Sequence, residues 1–128
     1  MPTSTPGHVV TTVHSTQTVT VEIDGEVVAR STRPVVLYET GLPIRYYLPP
    51  DDVDLTRFEP TDTHTTCPFK GEASYWTYLG GADSAPRPDV AWEYPEPIAS
   101  VPDIAGHLCF YDSVARVTIE GEPPAPPA

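Results

Sequence analysis

The densest run of chemically capable residues is Thr65-Thr-Cys-Pro-Phe-Lys-Gly-Glu-Ala-Ser-Tyr-Trp76, which places a thiol, the only lysine of the chain and three aromatic rings within twelve positions. A cation three residues from Cys67 can lower the thiol pKa and favour the nucleophilic thiolate. The same pattern arises when a cysteine packs as a small apolar group and a lysine lays its methylenes along an aromatic strand. His64, the one histidine near Cys67 in sequence, reads as a solvated turn residue, and His107, on a strand face with Cys109 and Tyr111, reads as packed. Asp51, Asp52 and Asp54 could gather a divalent cation, although an acidic first helical turn accounts for them without an ion. Trp92 and Tyr94 fall on one side of a strand pinned by Pro95 and Pro97, either as the wall of a pocket or as core. No P-loop, dinucleotide fingerprint, His-Glu-x-x-His or Gly-x-Ser-x-Gly pattern occurs.

Composition narrows the partners of such a site. Eighteen acidic against seven basic residues give a formal charge of −11, and no cluster of Lys or Arg could neutralise successive phosphates, so nucleic-acid binding is not expected. The opening Met1 to His8 has neither the basic nor the apolar region of a signal peptide, and no stretch approaches the ~18 apolar residues of a membrane span. The expectation is a cytoplasmic protein off the membrane, monomeric or weakly homodimeric. Two cysteines at unrelated spacing cannot build a zinc knuckle, and a disulfide is not expected in a reducing compartment. No metal and no cofactor is implied.

The elements that must position these residues are short strands. The chain of 128 residues suits one domain. Its seventeen prolines, against an average near ~5%, rule out long helices almost everywhere, while 39% hydrophobic content and twelve aromatics exceed what a disordered chain carries. Thr18 to Ile23 alternates, Asp24-Gly25 supplies a hairpin turn, and Glu26 to Arg30 returns, with Ile23 opposite Glu26 and Val21 opposite Val28. Further strands are expected at 35–39, 44–48, 73–79 and 90–94. A helical turn capped by Asp51 is expected near 51–55, and a second hairpin at 107–111 and 114–120. Residues 1–16 read as an N-terminal extension, 17–120 as the domain, and 121–128 as an extended, mobile Pro-rich tail.

Four stretches then resemble one family, the bacterial and fungal domain of unknown function 427 (DUF427). They are Tyr46-Tyr-Leu-Pro49 with Asp52-Val53, the 65–76 run, Ala91-Trp-Glu-Tyr-Pro-Glu-Pro97 and Ile104-Ala-Gly-His-Leu-Cys-Phe-Tyr111. The resemblance covers about residues 17 to 120 and implies an all-β fold, a compact, strongly bent antiparallel sheet or partly open barrel similar to the Mss4-like or β-tent group, with minimal helix. Zinc is not carried over, because the paired Cys-x-x-Cys knuckles of that group are missing. A nucleotidyltransferase role is not carried over either, because neither the Gly-Ser motif nor the paired metal-binding aspartates are present. Among the matching positions, Tyr47, Asp52, Cys67, Lys70, Tyr75, Trp92 and Tyr94 are expected to converge on one concave site. There Lys70 supplies positive charge to an anionic or carbonyl-bearing small molecule, Tyr47 and Tyr75 donate hydrogen bonds, and Trp92 and Tyr94 form a stacking wall. The alternatives are an enzyme using Cys67 or Lys70 as nucleophile, and a structural or interaction module in which these groups only maintain the fold.

Overall fold

The Asp-Gly turn forms as expected. Asp24 and Gly25 both take positive φ (51° and 84°), the primed-turn geometry that matches strand twist, and join Thr18–Ile23 to Glu26–Ser31. A computed structural model of the chain describes residues 8–81, 84–99 and 101–125, so the expectations for 1–7 and for the end of the tail, 126–128, lie outside the described residues. Ten strands occur there: β1 Val10–His14, β2 Thr18–Ile23, β3 Glu26–Ser31, β4 Val35–Glu39, β5 Arg45–Tyr47, β6 Phe58–Cys67, β7 Gly71–Tyr78, β8 Arg87–Glu93, β9 Cys109–Phe110 and β10 Arg116–Glu120. They form three antiparallel sheets, ordered β1-β4-β5, β10-β2-β3 and β6-β7-β8-β9, and the barrel is not closed. Among the described residues helix is confined to single 3-10 turns at Pro50–Asp52, Leu55–Arg57 and Pro102–Ile104. No helix there is long and apolar enough to cross a membrane.

Several local expectations are corrected. Ile23 does face Glu26, but Val21 faces Ala29 and not Val28, because the register shifts beside Val21. This bulge lets Val28 and Ala29 both turn inward. Val10–His14, placed by sequence in the N-terminal extension, is β1 and pairs with β4 along its whole length. The expected second hairpin does not form: β9 pairs with β8, and β10 crosses to β2. The acidic turn Pro50–Asp52 has no side-chain cap and Asp51 caps nothing; it is the next turn, Leu55–Arg57, that is capped, by Asp54, whose carboxylate accepts from the Thr56 N–H. In the tail, the Pro124 carbonyl accepts a hydrogen bond from the Tyr38 hydroxyl.

The sheets enclose two adjoining interiors. One is mainly aliphatic, built on Val19, Val21, Ile23, Val28, Leu48, Val90 and Leu108, with Phe58, Tyr78 and Phe110. The other is aromatic, with Tyr47, Tyr75, Trp92 and Tyr94 packed on Val35, Leu37, Val101, Ile104 and Cys109. β7 serves both. A register irregularity between Trp76 and Tyr78 sends Tyr75 into the aromatic interior and Tyr78 into the aliphatic one.

Candidate functional site

The aromatic interior opens at one end into a cleft of about 220 Å³. Its walls are set by strand parity and register. Tyr75 on β7 lies directly opposite Trp92 on β8, a cross-strand aromatic pair. Arg45 and Tyr47 alternate onto the same face of β5. That strand is locked beside the β8–β9 pair by reciprocal 2.8 Å backbone hydrogen bonds between Leu48 and Leu108. Tyr94 follows β8, held where its carbonyl accepts from the Gly106 N–H at 3.1 Å.

The rings are mutually fixed. Trp92 Nε1 donates to the Tyr47 hydroxyl at 3.1 Å, and the two rings meet edge to face at 6.4 Å. Tyr111 lies 4.5 Å from Trp92 between ring centres. The Tyr75 hydroxyl shares a 2.8 Å hydrogen bond with Thr65. Burial pushes the phenols of Tyr47 and Tyr94 well above their ordinary range, and burial together with the Tyr75 hydroxyl pushes Tyr111 up to about 12.

Lys70 reaches the cleft from the tight turn between β6 and β7. Its N–H donates to the Cys67 carbonyl, and its own carbonyl accepts from Ile98 at 3.0 Å. Gly71, at φ 121°, is required beside it, since a Cβ there would sit 3.3 Å from the Glu96 carbonyl oxygen. The Lys70 ammonium is bound by Glu39, and both side chains are nearly enclosed, at 11% and 5% exposure. Glu39 also takes His8 Nε2 at 2.9 Å, and the His8 ring stacks on Phe69 at 4.0 Å.

Five of the seven residues singled out by sequence therefore line one cleft: Tyr47, Lys70, Tyr75, Trp92 and Tyr94. Cys67 packs against the aromatic interior without lining the cleft, and the cation expected to activate it is engaged by Glu39. His64 lies on the exposed part of β6, near Ser74 and Glu72. Asp52 stands apart from the cleft, where it accepts from the Ser31 hydroxyl at 2.7 Å and pairs with Arg33. Burial opposes its charge, yet these hydrogen bonds hold its carboxyl below the usual range. Sequence reasoning missed Arg45, Glu39 and Tyr111. Parity carried the first two, since Arg45 shares a face with Tyr47 and Glu39 continues the inward face of Val35 and Leu37.

A small all-β domain with an aromatic cleft at the junction of two of its sheets is the class that fold and site define. The chain belongs to the DUF427 family: the family model described as "Domain of unknown function (DUF427)" matches residues 11–121, from within β1 to the residue after β10. No curated protein matches the chain.

Proposed function

We propose that this domain binds a small anionic or carbonyl-bearing molecule in the aromatic cleft and holds it without turning it over. The supporting observation is convergence. Side chains from three strands and two connections bring Tyr47, Tyr75, Trp92 and Tyr94 to one opening whose lining also carries Arg45 and Lys70. Rings of this kind supply stacking area at low entropic cost, and the hydroxyls and cations orient a polar ligand. The volume is below the ~300–1,000 Å³ usual for drug-sized ligands, which favours a compact metabolite.

A thermal-shift screen of a metabolite library against wild type and Trp92→Phe tests this reading. We expect at least one compound to raise the Tm of the wild type and to lose most of that effect in the variant. A library that leaves the wild type unmoved, or that moves both proteins equally, refutes binding at this cleft.

A further inference from the structure

We propose that Arg45, and not Lys70, is the anion-binding group of the cleft, and that its ligand is a planar monocarboxylate. The inference rests on the binding reading above and names the ligand class. It begins with the charges. Three charged side chains line the cleft, Glu39, Arg45 and Lys70. Glu39 and Lys70 neutralise one another in an ion pair almost closed to solvent. Recruiting Lys70 to a ligand would leave the 5%-exposed Glu39 carboxylate with the His8 imidazole as its one remaining partner, a loss of charge compensation in an enclosed site that opposes the new contact. Arg33, Arg57 and Arg87 are also committed, to Asp52, Glu26 and Asp24. Among the described residues Arg45 enters no ion pair and no side-chain hydrogen bond, so the cleft carries one uncompensated positive charge.

The shape of that charge selects the ligand. Arg45 Cζ lies 5.5 Å from the centre of the Trp92 ring, so the indole face supports the guanidinium. A guanidinium offers parallel N–H donors that match the two oxygens of a carboxylate. Tyr47 adds a further donor: its oxygen accepts from Trp92, which leaves its own O–H for the ligand. One cation, neutral donors and flat aromatic walls fit a single negative charge on a planar group. A phosphate dianion would require a second cation, which the Glu39 pairing withholds.

The test follows the Trp92 indole N–H resonance in the full ¹⁵N-labelled chain, assigned with Trp92→Phe, during titration with benzoate, its neutral analogue benzamide, and phenyl phosphate. Benzoate is expected to shift the resonance saturably with an affinity about tenfold or more above the other two. Arg45→Gln is expected to reduce benzoate about tenfold, to the level of benzamide, and to weaken benzamide by a much smaller factor, with Arg45→Lys intermediate because it keeps the charge but not the fork. Benzamide or phenyl phosphate binding as tightly as benzoate, or Arg45→Gln leaving benzoate binding intact, overturns the carboxylate inference while leaving ligand binding at the cleft standing. If none of the three moves the resonance the inference also falls, and the metabolite screen then decides the broader reading independently. The wild-type comparison of the three probes stands even if the Arg45 variants fail to fold.

Discussion

Lys70 is the residue whose reading the structure changes most. Sequence presents it as a lone cation beside a thiol, yet its partner Glu39 lies 31 residues away and meets it across the gap between two sheets. A pair this enclosed contributes through mutual compensation, so removing Lys70 leaves Glu39 in a poorly solvated site with the His8 imidazole as its remaining partner. Lys70→Met is expected to destabilise the domain by about 3 kcal/mol, and Lys70→Met combined with Glu39→Leu to recover much of that loss. Urea denaturation of the two single variants and the double variant supplies the coupling energy. A single-variant cost below about 1 kcal/mol would show a solvent-screened pair and return Lys70 to the set of ligand-binding cations. The cleft itself was largely legible because its aromatic residues announce themselves by type. The neutralisation of Lys70 was not, since nothing local to position 70 indicates which carboxylate folds against it.

The strands divide in the same way at the next scale. β2 and β3 were legible because alternation and the Asp-Gly turn agree. β6 was hidden because seven of its ten residues are exposed and Pro60 interrupts it, so no alternating inward face appears in the sequence. The β9–β10 hairpin was misread because adjacency in sequence ordinarily means pairing. Here the Val114 and Ala115 N–H groups both turn back on the Tyr111 carbonyl, and the chain leaves for another sheet. β7, which carries Tyr75, is flanked by irregularities on both neighbours. One side chain ties them together. Asp89, at φ 51°, accepts hydroxyl hydrogen bonds from Thr61 and Thr63, each at 3.0 Å, while its own N–H donates to Thr77. Asp tolerates the left-handed region better than a residue without a short polar side chain. Asp89→Ala is therefore expected to cost about 1–3 kcal/mol, and Asp89→Asn less, because it retains an acceptor and the backbone tolerance. Chemical denaturation of both variants measures this, and an Asp89→Ala protein as stable as wild type would show that these hydrogen bonds do not hold β6, β7 and β8 together.

For the molecule as a whole, the division into an aliphatic and an aromatic interior makes stability depend on alkaline pH. The aliphatic side holds a single fully buried phenol, Tyr78. The aromatic side holds Tyr47, Tyr94 and the Cys109 thiol. Burial is the largest cause raising all three, and it pushes Cys109 from 9.0 up to about 12. A raised value means that the folded chain binds the proton more tightly than the unfolded chain does. The contribution is consequently complete below the ordinary values, 9.0 for the thiol and 10.0 for the phenols, and is lost as pH rises past them. Each group removes roughly 1.4 kcal/mol per pH unit once the unfolded form has ionised. The urea midpoint should hold steady from neutral pH to the approach of 9 and then fall, more steeply once the phenols join the thiol. Cys109→Ala should delay the onset, and Tyr94→Phe should reduce the slope above 10, after allowance for the packing each change removes. In native protein at neutral pH, iodoacetamide should leave Cys109 unmodified until the domain unfolds, which gives an independent reading of the same burial. A midpoint that stays level through pH 11, with tyrosinate absorbance appearing while the chain is still folded, would mean that burial does not hold these protons, and the alkaline loss of stability would be refuted.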